Sequence, residues 1–271
     1  MSEITKRIVT ALITAPVFLY LIWLGGVFFS GIILVLSVVI QLEIAGMISK
    51  RGGSVNRMMA VLLGVPVLFL VIWPTRMWLL FLFFFIMTLL AETFRRQEPV
   101  WERLMATLMV AMFSPALLSS LFLIRRFGDE YTGFVLTLTL FLLIWANDVF
   151  AYFGGKTLGR NPLAPVISPS KTVEGFISGF LASIVFVLIC HAFIPDFPLS
   201  LSVSVGFAVV CGLFGPIGDL TESRLKRSCN IKDSSDLMPG HGGMFDRFDA
   251  VMMAAPAIAL YLHALDFFNL I

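Results

Sequence analysis

The sequence predicts an all-α polytopic membrane protein of about nine transmembrane helices, with the N-terminus cytoplasmic and the C-terminus outside. Three observations carry that expectation. Of the 271 residues, 59% are hydrophobic and 13% are charged, about half the charge of a soluble domain, and mean hydropathy is +0.96. Apolar runs near the ~20 residues that cross a bilayer recur along the whole length. Lysine and arginine alternate between dense and sparse loops.

The first apolar run covers residues 8–24 and follows Lys6 and Arg7, as a signal peptide would. No small-x-small cleavage site follows, and the next run, 27–48, starts directly after Gly25 and Gly26, so the first reads as a retained helix. Runs at 58–73 and 77–92 are short, with soft boundaries. Glu43 and Glu92 read as interfacial carboxylates snorkelling beside Lys50/Arg51 and Arg95/Arg96. The remaining runs lie at 104–124, 132–153, 173–194, 201–222 and 248–265. None alternates with a period of two, so helices rather than barrel strands are the expected spans. No repeat, low-complexity tract or soluble linker interrupts them. The expected organisation is one integral membrane unit. Residues 1–130 supply scaffold, lipid or subunit contacts, a homodimer being one assembly left open, and residues 131–271 form the catalytic region.

Nine spans leave ten ends and loops. Taken alternately, one side holds 16 lysines and arginines and the other 3, which orients the chain by the positive-inside rule. Basic residues spread through loops give no nucleic-acid surface, and Cys190, Cys211 and Cys229 show neither disulfide nor zinc spacing.

Polar residues at membrane depth gather in the C-terminal half, where each is a functional candidate. Asn147 and Asp148 precede "FGGKTLGR". A P-loop would need a further glycine where Phe150 stands, and an aspartate-rich prenyltransferase motif would need an aspartate at Ala151. Such a pair can equally hydrogen-bond a neighbouring helix. In "SPSKTVEG", residues 168–175, Thr172 can cap a helix whose first turn holds Glu174. That helix start, with Lys171, also attracts phosphate. The third cluster runs from Asp219 and Glu222 through a basic loop to Asp246 and Asp249. Each pair has i, i+3 spacing at one end of a span, and two helix ends joined by one loop can bring their carboxylates together. Clustered carboxylates repel unless protons, cations or bound metal compensate, and hard oxygen donors favour Mg²⁺ shared with substrate phosphates.

Residues 223–249, "SRLKRSCNIKDSSDLMPGHGGMFDRFD", resemble the signature of the phosphatidate cytidylyltransferases, also called CDP-diacylglycerol synthases. Ser223, Lys226, Arg227, Lys232, Asp233, Pro239, His241, Gly242, Gly243, Asp246, Arg247 and Asp249 fall at its positions, with Met238 replacing a usual Leu, Ile or Phe. "SPSKTVEG" and Asn147-Asp148 are similar to further family elements. The resemblance covers roughly residues 140–265. It implies transfer of a cytidylyl group from CTP to phosphatidate at the cytoplasmic face of a bacterial inner membrane. On this reading Asp219 and Asp246 ligate Mg²⁺, with Glu222, Asp249 and Asp148 in support and a second cation left open. Lys226, Arg227 and His241 act on the reacting phosphates. Lys171, Thr172, Ser168, Lys232, Arg247 and Asn147 hold CTP or the lipid headgroup. The rival readings are a CTP-dependent polyprenol kinase and, from another class, a cation- or proton-coupled transporter.

Overall fold

The computed structural model describes residues 3–95, 99–235, 237 and 242–270, with side chains from residue 14 onward. Arg96, Met238, Pro239, Gly240 and His241 lie outside the described residues. Among the described residues there are nine helices. They are α1 (Glu3–Leu24), α2 (Gly26–Lys50), α3 (Arg57–Phe69), α4 (Pro74–Thr93), α5 (Val100–Arg125), α6 (Glu130–Leu158), α7 (Val173–Phe193), α8 (Leu201–Ser228) and α9 (Phe245–Phe267). Every apolar run seen in the sequence became one helix.

Seven of them, α2 and α4–α9, are long and apolar enough to cross a membrane. The third apolar run forms a shorter helix. α3 has 13 residues, about 20 Å at 1.5 Å per residue, short of a hydrocarbon core of about 30 Å. In α1 the described apolar portion is Thr14–Leu24. A second departure is a small antiparallel hairpin between α6 and α7, formed by β1 (Pro162–Ala164) and β2 (Ser168–Thr172). Its strands are too short to leave a period-two pattern, and Pro162 takes the first strand position, where a missing N–H is tolerated.

Local signals set the helix starts. Asn56 Oδ1 accepts from Met59 N–H at 3.2 Å, Asp129 from Thr132 N–H at 2.8 Å and Thr172 Oγ1 from Gly175 N–H at 3.1 Å, each satisfying a donor the helix leaves open. α4 instead begins on Pro74, whose fixed φ suits a first helical residue.

The chain forms two compact units. One comprises Met1–Phe122 with Lys226–Arg247, the other Leu123–Leu225 with Phe248–Ile271. In the first, α2 buries Phe29, Ile33, Leu36, Ile40 and Ile44, the stripe expected of a helix with one packed face. Gln41 Nε2 donates to the carbonyls of Ala60 (2.9 Å) and Val110 (3.3 Å), tying α2 to α3 and α5. Glu92 does not snorkel as expected. It is 4% exposed and pairs with Arg103 Nε at 2.8 Å, linking α4 to α5. The rest of α4 turns Trp78, Leu79, Phe83 and Ile86 outward.

In the second unit α6 and α7 meet along a seam of small residues. A Cβ on Gly175 or Gly179 would stand 2.7 Å from the carbonyl oxygens of Ala151 and Asn147, respectively. Backbones this close are the usual product of small residues at a membrane helix crossing. The glycines of "FGGK" therefore serve packing: Gly154 lies against Ser178 and Gly155 against Thr172 and Gly175.

Candidate active site

In the second unit, α8 carries Asp219 and Glu222 one turn apart, and α9 brings Asp249 to them. One carboxylate oxygen from each lies within 4.8 Å of the others. The approach depends on Gly218. A Cβ there would meet the carbonyl group of Asp249, with its carbon at 2.9 Å, and Cα of Ala250 at 3.0 Å. Glu222 is 2% exposed. Lys171, at the end of β2, forms an ion pair with Asp219, and Ser223 Oγ donates weakly to Asp219 Oδ1 at 3.4 Å.

The three acids fit a cation. They crowd negative charge at partly or fully buried positions, which repels unless compensated, and Lys171 pairs with Asp219. All donors are hard oxygens. Their spread compares with the ~4.2 Å between opposite ligands of an octahedral Mg²⁺ whose bonds are about 2.1 Å.

Asp219 and Lys171 also line a cavity of about 420 Å³, together with Asn147, Asp148, Thr172 and Lys156. That volume suits a small-molecule ligand. Asn147 is buried and donates to Ser183 Oγ at 3.2 Å, so the interhelical bond allowed by the sequence is present. Asp148 is exposed. Ser168 opens β2. Glu174 does more than suit a helix dipole. Its carboxylate accepts from the backbone N–H groups of Arg160 (3.0 Å) and Asn161 (3.2 Å) and from Asn161 Nδ2 (2.7 Å), clamping the hairpin base to α7.

Asp246 belongs to the first unit, and its described contacts differ from those of the three acids above. Its Oδ1 accepts from Lys226 Nζ at 2.6 Å. Its Oδ2 accepts from Gly243 N–H (2.7 Å), Ser234 Oγ (2.9 Å) and Ser234 N–H (3.1 Å). Lys226 and Asp246 are nearly buried, at 11% and 8% exposure. Arg227, Lys232 and Arg247 are exposed, and Arg227 also donates to the Ile231 carbonyl at 3.2 Å. His241 lies outside the described residues.

Sequence reasoning missed Glu43, expected to snorkel. It is 7% exposed and accepts from Ser234 Oγ, Ser235 Oγ and the N–H groups of Met244 and Phe245. A carboxylate seven positions before Lys50, the last residue of its helix, gave no local sign of partners some 190–200 residues away. One available signal was that a membrane-depth acid normally faces protein rather than lipid.

Relatives match about half of the chain. The chain is 43% identical over 122 residues to a phosphatidate cytidylyltransferase of Staphylococcus aureus (strain COL), covering 45% of this chain and 46% of that protein. A phosphatidate cytidylyltransferase of Staphylococcus haemolyticus (strain JCSC1435) is 40% identical over 136 residues, 50% of this chain and 52% of that one. The chain thus spans about half the length of the curated relatives it matches. A family model reaches much further, matching residues 5–265. With nearly every helix inside that match, the chain belongs to the cytidylyltransferase family.

Proposed function

We propose that the protein transfers the cytidylyl group of CTP to phosphatidate, forming CDP-diacylglycerol and pyrophosphate. The observation that carries this reading is the group Asp219, Glu222 and Asp249, with Lys171 paired to Asp219 at a cavity wall. Family membership and the relatives' printed names support the substrate pair.

The phosphate of phosphatidate is already an anion, so no strong general base is needed. One of its oxygens bonds to the α-phosphorus of CTP as the bond to the β-phosphate bridge breaks, and pyrophosphate carries off the electron pair. The protein's work is then positioning and charge stabilisation. Asp219, Glu222 and Asp249 would hold Mg²⁺, with Asp148 in support. When bound, the ion supplies charge neutralisation at the phosphates. Lys171 meets a triphosphate oxygen at the cavity wall, and the capped start of α7 at Thr172 adds a positive helix end. Asn147 and Ser168 help hold CTP. Lys226, aimed by Asp246, and Arg227, Lys232, His241 and Arg247 bind phosphate oxygens of substrate or product.

The charge asymmetry of the loops supports a cytoplasmic site in a bacterial inner membrane, with the N-terminus inside. There a lipid substrate in the bilayer and a nucleotide in the cytosol can both reach one protein. The test is the purified protein in nanodiscs with phosphatidate and Mg²⁺, given CTP labelled at the α- or at the γ-phosphate. The α label should enter lipid and the γ label should leave as pyrophosphate. Passage of the γ label into lipid would establish a lipid kinase instead, and no label in lipid would overturn both.

A further inference from the structure

We propose that Glu43 of α2 is a positioning residue for the Lys226–Asp246 pair, acting by anchoring Ser234, Ser235, Met244 and Phe245. Three consecutive N–H groups at the start of α9 divide between two carboxylates. Gly243 donates to Asp246 at 2.7 Å, while Met244 (2.9 Å) and Phe245 (2.7 Å) donate to Glu43. Ser234 Oγ stands between the two acids, 2.9 Å from Asp246 Oδ2 and 3.2 Å from Glu43 Oε2. Ser235 Oγ donates to Glu43 Oε1 at 2.6 Å. Glu43 therefore grips the same short segment whose Ser234 and Gly243 hold Asp246, and Asp246 holds Lys226.

Each Glu43 oxygen receives one backbone N–H and faces one hydroxyl: Oε1 takes Met244 N–H and Ser235 Oγ–H, and Oε2 takes Phe245 N–H and shares the single Ser234 Oγ proton with Asp246. A hydroxyl can turn and accept; a backbone N–H cannot. A glutamine in either flip must set its NH₂ against Met244 N–H or Phe245 N–H. The site accordingly demands a carboxylate, beyond any need for a polar group of that shape. Gly243 gives independent support. A Cβ there would lie 2.6 and 2.7 Å from the two Glu43 oxygens and against Ser234 Oγ, so glycine at this position makes room for the carboxylate.

The inference rests on the cytidylyl transfer proposed above for its activity readout only. Glu43→Gln, Gly243→Ala and Ser235→Ala are compared with the wild type, full chain in nanodiscs. Hydrogen exchange is followed over 234–247, with 132–158 as internal control, alongside steady-state CDP-lipid formation. Glu43→Gln and Gly243→Ala should speed exchange across 234–247 at least tenfold and leave 132–158 unchanged. The kcat should fall at least tenfold, by more than KM for CTP changes, since Lys226 is assigned to the reacting phosphates and Lys171 to the triphosphate. Ser235→Ala should lose no more than threefold in kcat. Unchanged exchange in both of the first two variants overturns the anchor. Faster exchange at undiminished kcat overturns the positioning role, and so does a Ser235→Ala loss as large as that of Glu43→Gln. Should Glu43→Gln loosen 132–158 as well, Gly243→Ala decides alone. A wild type that makes no CDP-lipid defeats the proposed reaction, and the exchange arm still decides the anchor.

Discussion

Gly218→Ala adds one methyl group at the point where α8 touches α9. The new Cβ would stand 2.9 Å from the Asp249 carbonyl carbon and 3.0 Å from Ala250 Cα. The Asp249 carbonyl oxygen would lie closer still, and ordinary contacts begin near 3.5 Å, so the helices must part by about an ångström. Both neighbours are backbone, so no side chain can swing away to absorb it. Overpacking of this kind costs about 1–3 kcal/mol, and separating the helices relieves it. Separation also draws Asp249 away from Asp219 and Glu222, so a cation that gathers the three must restore the clash. Coupling of that size raises the cation's Kd by roughly 5- to 150-fold, at tenfold per ~1.4 kcal/mol. Mn²⁺, as a spectroscopic substitute for Mg²⁺, would be titrated by electron paramagnetic resonance on protein in nanodiscs. Gly31→Ala is the control, because its Cβ would meet nothing within 4 Å, and alanine there should be neutral or slightly stabilising. Equal Mn²⁺ affinity in Gly218→Ala and Gly31→Ala would refute the reasoning that the crossing distance sets the site.

Lys171→Gln removes the cation paired with Asp219, and an interaction with a charged group is worth about 1.5–3 kcal/mol. KM for CTP should rise at least tenfold, as measured by initial rates at saturating phosphatidate. Glu174→Gln keeps the size of the clamp but turns one acceptor into a donor facing Arg160 N–H, Asn161 N–H or Asn161 Nδ2. Hydrogen exchange over 160–172 should quicken while the global unfolding temperature hardly moves. Glu92→Leu strands Arg103 in a buried position, at a cost of about 3–5 kcal/mol in thermal or denaturant unfolding, whereas the double variant Glu92→Leu/Arg103→Met should recover most of it.

The helices were legible because each apolar run reports its own state: in lipid a run of that length has to satisfy its backbone internally. What hydropathy could not judge was whether α3, with apolar residues up to Phe69, is long enough to cross. A turn at residues 70–73 ends it early, where the sequence stays apolar through Ile72. Asp219, Glu222 and Asp249 were legible within a wider group that also held Asp246, because i, i+3 spacing and neighbouring helix ends are local features. The separate contacts of Asp246 were less so, since Asp246 and Asp249 share the same spacing signal and differ only in which partners the fold brings to each. Glu43 and Glu92 were misjudged for the same physical reason. Snorkelling is a statement about the nearest cation in sequence, and Arg103, Ser234, Ser235, Met244 and Phe245 are near only in space.

Glycine supplies the sequence signal that was available for those tertiary contacts. Gly243 admits the Glu43 carboxylate, Gly218 admits the Asp249 backbone, and Gly175 and Gly179 admit the carbonyls of α6. In none of these four is a positive φ the reason; each is a place where something approaches too closely for a Cβ. Glycine inside a helix costs about 1 kcal/mol relative to alanine. Gly218, Gly175 and Gly179 lie inside helices, so each must return more than it forfeits through the contact it permits. For Gly218 that return is a set of three acids brought within 4.8 Å, which is itself unfavourable without a cation. A helix-weakening residue used to assemble a repulsive cluster makes energetic sense only if the cluster's occupant supplies the missing stability. That is the strongest physical reason to expect a bound metal at Asp219, Glu222 and Asp249.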